Sequence, residues 1–333
     1  MSSPLPRLSI VCPAYQEEEV LPRFHTALSP VLDALAPDYE VEVIYVDDGS
    51  ADGTLEALRR IAAADSRVRY LSLSRNFGHQ AALTAGLEHA VGEVVISMDS
   101  DLQHPPELLP TLLECWKQGH DVVLTERIDS ADLTWFKRVS SHGFYWVLSR
   151  IGEIEAQAGA SDFRLLSRPA LDALLSLKES HRFLRGMVKW LGFRNTKVLF
   201  QANPRAGGRS SYTLRRMVRL ALDGLLSFSS LPLRMPIFPG MAAIVLGLLY
   251  GLGTAIAGLS GSSTLWPVHL LIAVMLGMGG MILFCLGVLG EYTGRIFEQV
   301  KQRPAYLLKE SNMPPRALAS RVSSTLPDRS RAA

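Results

Sequence analysis

From Met235 to Gly290 the chain carries no Asp, Glu, Lys or Arg. A water-facing segment of that length needs charged side chains, which excludes an ordinary soluble surface there. Cysteine is scarce as well. Cys12, Cys115 and Cys285 form an odd trio without metal-type spacing, which argues against a disulfide framework or a zinc site and fits small core residues of a reduced compartment. No G-x-G-x-x-G follows an expected strand and no Walker A sequence is present, so NAD-dependent and P-loop enzymes lose their main support. The formal net charge of +2, from 34 basic and 32 acidic residues among 333, neither favours nor excludes nucleic acid. No secretory signal is expected, because residues 1–7 lead straight into a strand.

Within the uncharged stretch, residues 237–259 and 268–290 are each long enough to cross ~30 Å of hydrocarbon as helices. The turn between them contains Trp266, a residue suited to an interface. A two-helix membrane hairpin is therefore expected; a buried helical pair is disfavoured because neither half has a polar face. Arg215, Arg216, Arg219 and Arg234 precede the hairpin, and Arg295, Lys301 and Arg303 follow it. Basic residues at both ends and none in the connecting turn orient both ends to the cytoplasm. Just upstream, Leu214, Met217, Val218, Ala221, Leu222 and Leu225 share one helical face, while Arg215, Arg219 and Asp223 share the other. This reads as an amphipathic helix in the headgroup plane, with an ordinary core helix as the alternative. Gly247 and Gly251 make a weak helix-contact pattern that is compatible with a homo-oligomer.

The N-terminal part alternates short apolar runs, at 8–12, 41–46, 68–73, 93–98 and 121–125, with helical stretches. That alternation predicts an α/β fold with a mostly parallel sheet covered on both faces. Two of the expected strands end in acid: Asp47 and Asp48, and Asp99 and Asp101. Two carboxylates at i, i+2 after a buried strand repel one another unless a cation lies between them. Oxygen donors of this kind suit a hard cation such as Mg²⁺ or Mn²⁺, which keeps open positions for substrate phosphates. The plainer alternative is that Asp99 and Asp101 cap a turn before Pro105 and Pro106. Taken with Asp48 and the loop at Pro13, however, they describe a nucleoside-diphosphate pocket at strand ends.

Several ordered motifs extend this reading: Pro13-Ala14-Tyr15-Gln16-Glu17, Val46-Asp47-Asp48-Gly49-Ser50, Ser74-Arg75-Asn76-Phe77-Gly78-His79-Gln80-Ala81, Met98-Asp99-Ser100-Asp101-Leu102-Gln103-His104 and Asp162-Phe163-Arg164-Leu165. With Ser227-Phe228-Ser229 and Pro232-Leu233-Arg234, they resemble the motifs of family 2 glycosyltransferases. The nearest branch is the polyprenyl-phosphate hexose synthases, which includes dolichyl-phosphate mannose synthase and bacterial undecaprenyl-phosphate glucosyl- and aminoarabinosyl-transferases. Gly290-Glu291-Tyr292-Thr293-Gly294-Arg295 with Arg303-Pro304-Ala305-Tyr306 is similar to the segment after the hairpin in bacterial members. The resemblance runs from about 8 to 306.

The resemblance implies a nucleotide-diphospho-sugar transferase fold, Rossmann-like and of glycosyltransferase A type. It implies that Pro13, Tyr15, Glu17 and Asp48 line the base pocket, and that Asp99, Asp101 and Gln103 surround a Mg²⁺ or Mn²⁺ ion. Arg205 would neutralise the donor diphosphate, with Arg209 and Ser210 of the same segment also contacting substrate. Arg127, Lys137 and Arg138 would hold the acceptor phosphate. Asp162 is implied as a sugar-hydroxyl holder, a general base or an ion-pair partner of Arg164; His79 and His104 are expected to be satisfied loop histidines. Two residues depart from the family pattern: Ser161 where Gly is usual and Ser211 where Lys is frequent.

The expected activity is inverting transfer of a hexose, with UDP-glucose as first donor, to undecaprenyl phosphate on the cytoplasmic face of the inner membrane, for envelope glycan modification. GDP-mannose or another UDP-sugar remains an alternative donor. A processive polysaccharide synthase is disfavoured by only two spans and no Q-x-x-R-W, and a non-catalytic scaffold by the intact acidic motif. Expected partners are a nucleotide sugar, the lipid phosphate and the membrane, with no nucleic acid. The expected division is a catalytic domain at 1–212, a juxtamembrane helix at 213–234, a multi-pass hairpin at 235–290, a cytoplasmic segment at 291–310 and a disordered tail at 311–333.

Overall fold

The computed structural model describes residues 4–127, 160–177, 179, 184–201, 242, 245–247, 249–250, 252–253 and 266–313. The sheet is built outward from β1 (Arg7–Ala14), whose side chains are buried from Leu8 onward. β1 pairs in parallel with β2 (Glu40–Asp47) on one side and β4 (Val94–Ser97) on the other, and β2 pairs in parallel with β3 (Val68–Leu73). The crossovers are α1 (Val20–Leu35), α2 (Thr54–Ala64) and α3 (His79–His89), followed after β4 by α4 (Leu109–Lys117). α1 buries Leu21, Phe24, Leu28, Leu32 and Leu35, a spacing of three and four that aligns one stripe with the sheet. With helices on both faces, the central strands tolerate nearly continuous apolar sequence.

Beyond β4 the sheet becomes mixed, which the sequence pattern did not anticipate. β5 (Val122–Arg127) and β4 flank β6 (Ala160–Ser167), which is antiparallel to both, and β7 (Asn195–Phe200) pairs in parallel with β5. α5 (Arg168–Ser176) and α6 (Leu184–Trp190) pack with α3 on one face, where Leu83, Leu171, Leu174, Met187 and Val188 share a core. β6 escapes sequence recognition because Asp162 and Arg164 interrupt its apolar side, yet both are buried.

The chain emerges from the uncharged stretch as α7 (Trp266–Lys301). Its uncharged portion, 266–290, is about 37 Å long at 1.5 Å per residue. Among the described residues, one helix, Gly277–Lys301, passes the test of length and composition for crossing a membrane. This helix corresponds to the second expected span but continues without a break through residues assigned to a separate segment. Most of the first span, the turn and the amphipathic helix at 213–234 lie outside the described residues, so the multi-pass hairpin is not shown.

After α7 the chain returns to the catalytic part as β8 (Leu308–Ser311), which adds antiparallel to β3 and completes the order β7-β5-β6-β4-β1-β2-β3-β8. The expected tail boundary at 311 is therefore corrected: Ser311 pairs with Leu71, and the Asn312 side chain accepts from the Tyr70 amide at 2.7 Å. The polar sequence of β8 suits an exposed edge strand. Its Glu310 accepts from Tyr70 Oη and from Arg59, which ties the edge down.

At Gly86 α3 lies against the sheet with no room for a side chain, since a Cβ there would stand 2.3 Å from Val11 Cγ1 and 3.0 Å from Val46 Cγ2. Gly86→Val is expected to destabilise the fold by about 1–3 kcal/mol through overpacking. A thermal unfolding midpoint equal to that of the parent protein would contradict this packing.

Candidate active site

β1 connects towards β2 and β3 on one side while β4 lies on its other side, so strand order reverses between β1 and β4. Open α/β sheets bind ligands in the crevice beyond the C-terminal strand ends at such a point. The residues leaving β1, β2 and β4 there are Tyr15 to Glu17, Asp48, and Asp99 to Gln103. Gln16 and Leu102 adopt positive φ of 54° and 65°. Non-glycine residues carry a steric cost in that region, and such strain gathers at functional sites.

Asp48 is buried, and its two carboxylate oxygens accept from the backbone N–H groups of Phe77 at 2.8 Å and Gly78 at 2.9 Å. Burial lifts its pKa above the ordinary value although these two bonds oppose the shift. The arrangement requires Gly49, whose φ is +65° and whose Cβ would meet the Arg75 backbone at 2.2 Å. Across the crevice the buried Ser100 hydroxyl lies 2.7 Å from the Pro13 carbonyl and 2.5 Å from Glu17 Oε2. Tyr15 is 43% exposed beside them.

The acidic loop is held from behind by a histidine. The Asp99 backbone N–H donates to His104 Nδ1 at 2.9 Å, and His104 Nε2 lies 2.7 Å from Ser161 Oγ. Accepting at Nδ1 leaves the ring proton on Nε2, the neutral tautomer. Burial lowers the His104 pKa in the same sense, and the ring stacks on Phe163 at 5.1 Å. Ser161, where the motif resemblance leads one to expect glycine, supplies the oxygen that accepts the Nε2 proton of this tautomer. Asp101 Oδ1 accepts from the Gln103 backbone N–H at 3.1 Å and Oδ2 from Gln103 Nε2 at 2.6 Å, while Gln103 Oε1 accepts from Arg127 at 3.3 Å.

Asp162 is 3% exposed and sits among cations. Arg164 donates to Oδ1, and Arg185 donates from Nε to Oδ1 at 3.1 Å and from an Nη to Oδ2 at 2.8 Å. His79 Nε2 lies 3.4 Å from Asp162 Oδ2 and 3.6 Å from Asp99 Oδ1, bridging the two carboxylates. Burial disfavours the charged form of His79, but Asp162 and Asp99 outweigh it and raise the pKa. Burial would likewise raise Asp162, yet His79, Arg164 and Arg185 hold it well below the usual carboxylate range. A carboxylate so strongly held as the anion is a poor general base, and its oxygens are engaged by Arg164 as one of the sequence readings anticipated.

The structure therefore brings together Pro13, Glu17, Asp48, Asp99, Asp101, Gln103, Arg127, Asp162 and Arg164 around one crevice. Lys137, Arg138, Arg205, Arg209 and Ser210 lie outside the described residues. Sequence reasoning missed Arg185, and it foresaw His79 and His104 only as satisfied loop residues. The spacing of Arg185 on α6 carries no local signal, because its partner Asp162 stands 23 positions earlier.

Asp99 and Asp101 suit a divalent cation by donor chemistry: both offer hard carboxylate oxygens at a rim open to substrate. Among the described residues, no group of three or more His, Cys, Asp or Glu side chains converges on one metal position. Remaining ligands would have to come from substrate phosphate and water, as is common for Mg²⁺. Gln103 does not fit a ligand role in this conformation, since its amide nitrogen faces Asp101 and its oxygen faces Arg127.

This fold and acidic crevice define a glycosyltransferase, and residues 9–175 match the family model described as glycosyl transferase family 2. The chain belongs to that family. It is 38% identical over 303 residues to an uncharacterized glycosyltransferase YkcC of Bacillus subtilis, covering 91% of this chain and 93% of the relative. It is 37% identical over 306 residues to the SfII prophage-derived bactoprenol glucosyl transferase of Shigella flexneri, covering 92% of this chain and 98% of that one. A remote structural likeness is the solved glucosyl-3-phosphoglycerate synthase of Mycobacterium tuberculosis, 21% identical over 67% of this chain and 78% of that one, with a TM-score of 0.48.

Asp162→Asn should destabilise the protein by about 3–5 kcal/mol, because it leaves Arg164 buried without its counter-charge. The sign follows from the depressed pKa: the stabilisation is complete above the unfolded value near ~4 and is lost as pH falls towards the lower folded value. Unfolding midpoints of parent and variant should therefore converge below about pH 4. A constant gap across that window would contradict the clamp.

Proposed function

We propose that the protein transfers a hexose, glucose from UDP-glucose in the first instance, to the phosphate of a polyprenol, inverting the anomeric carbon. The observation that carries this reading is the Asp99 and Asp101 pair at the β1–β4 crevice, backed by His104 and free of any arginine contact at Asp99 among the contacts described. The names of the relatives support the acceptor class: bactoprenol glucosyl transferases match at 36% to 37% identity over at least 91% of this chain. α7 supports an acceptor carried in a membrane.

A phosphate monoester is already an anion at neutral pH, its second proton leaving near ~6, so the nucleophile needs no general base. The engagement of Asp162 by Arg164 and Arg185 agrees with that chemistry. The demand falls on the departing nucleoside diphosphate. Asp99 and Asp101 would hold a Mg²⁺ or Mn²⁺ ion, which supplies charge neutralisation to that leaving group when bound. Asp48, Pro13, Tyr15 and Glu17 would frame the base. Arg205, Arg209 and Ser210 are proposed for the diphosphate, and Arg127, Lys137 and Arg138 for the acceptor phosphate. Bringing two anions together without such cations would leave repulsion unopposed. The same reading places the catalytic part at the cytoplasmic leaflet, in envelope glycan modification, with another nucleotide sugar as the alternative donor.

Incubating the full-length protein with labelled UDP-glucose, short-chain polyprenyl phosphate and Mg²⁺ or Mn²⁺ should move label into the organic phase. Asp101→Ala should reduce that transfer roughly 100-fold or more while the unfolding midpoint is retained. Label in a water-soluble polymer, or no transfer from any nucleotide sugar, would overturn the proposal.

A further inference from the structure

The acidic loop after β4 is closed by a side chain from its own far end. The Met98 N–H makes the last bond towards β1, at 3.0 Å to the Val11 carbonyl. The next amide, that of Asp99, has turned off the sheet and donates instead to His104 Nδ1, five residues on, at 2.9 Å. Between them Leu102 holds a φ of 65°, which a non-glycine residue adopts at a steric cost and keeps only where its surroundings impose it.

His104 is itself held on three sides. It is 6% exposed, its ring stacks on Phe163 at 5.1 Å, and it packs edge-on with Phe200 at 5.8 Å. Its second nitrogen, Nε2, lies 2.7 Å from Ser161 Oγ, which also accepts from the Phe163 N–H at 3.1 Å. Packing fixes the plane of the ring, and Ser161 favours the proton on Nε2. That choice matters at Asp99, because Nδ1 stands 3.7 Å from Asp99 Oδ2 as well as 2.9 Å from the Asp99 N–H. With the proton on Nε2, Nδ1 presents a lone pair that takes the backbone bond and offers the carboxylate nothing. With the proton on Nδ1, two N–H groups would face each other, the backbone bond would be lost, and the ring would compete for the carboxylate that a cation needs.

We propose that Ser161 and His104 are positioning residues for the cation site: they hold the Asp99 backbone in place and keep the imidazole proton away from the carboxylate that receives the ion. The assignment rests on the transferase reading above, in which Asp99 binds a divalent cation jointly with a nucleoside diphosphate.

Two substitutions of His104 separate its hydrogen bond from its packing. His104→Phe keeps an aromatic ring against Phe163 but has no acceptor, whereas His104→Asn keeps an acceptor near the position of Nδ1 and loses the ring. In calorimetric titrations of the full-length protein in detergent with UDP, His104→Phe should bind about tenfold or more weakly in excess Mn²⁺ and as the parent does in excess chelator. His104→Asn should keep the parent affinity in Mn²⁺, and Ser161→Ala should lose about threefold or more of it. Hydrogen exchange, measured without metal or nucleotide, should show the Asp99 amide losing protection in His104→Phe and keeping it in His104→Asn. His104→Asn binding as weakly as His104→Phe, Ser161→Ala binding as the parent does, or an Asp99 amide equally protected in every variant would overturn the proposal. Mn²⁺ dependence that survives intact in His104→Phe would overturn the positioning role alone. A parent protein whose UDP affinity ignores Mn²⁺ would overturn the metal reading and this assignment with it, and the parent titration shows that failure before any variant is made.

Discussion

Mutual repulsion among carboxylates at the strand ends is the constraint around which the catalytic part is arranged. Each acid is answered differently. Asp48 is held by two backbone amides, Asp101 by the amide groups of Gln103, and Asp162 by two guanidinium groups. Asp99 is answered more weakly: His79 stands 3.6 Å away, and His104, 3.7 Å away, is kept neutral by its own backbone bond. Asp99 is thus the one of these acids whose charge the described hydrogen bonds and ion pairs offset least, which is the condition a divalent cation would relieve. Asp162, by contrast, has been made a structural anion on which β6 and α6 converge.

The parts of this arrangement that are local in sequence were legible. Apolar runs gave β1, β2 and β4, the last two ending in acid, the acidic pair after β4 gave the candidate metal position, and the ordered motifs gave the family. What escaped depends on partners far apart in the chain. His104 acquires its role from Ser161, 57 positions later, and Arg185 from Asp162. β6 was hidden because charge in a strand normally signals exposure, whereas here Asp162 and Arg164 neutralise each other inside the sheet. β8 was hidden for the opposite reason: Lys309 and Glu310 read as the end of a cytoplasmic segment and Ser311 as the start of a polar tail, and only the edge of β3 makes them a strand.

That edge strand links the apolar helix α7 to the catalytic part. Six residues, 302–307, separate the end of α7 from β8. Within them Tyr306 donates to Glu88 of α3 at 2.8 Å, and the Leu307 carbonyl accepts from the Ser74 N–H at 2.8 Å. Ser74 opens the loop whose Phe77 and Gly78 amides bond Asp48. A short tether therefore runs from the apolar helix to the loop that holds Asp48, which under the proposed function would limit how far the crevice can swing from a bilayer.

The central claim is that Asp99 and Asp101 bind a divalent cation jointly with a nucleoside diphosphate. Calorimetric titration of the full-length protein with UDP, once with excess Mn²⁺ and once with excess chelator, tests it most directly. The account predicts that chelation weakens UDP binding by roughly tenfold or more, and that the dependence on Mn²⁺ disappears in Asp99→Asn. Equal affinity in both buffers would contradict it.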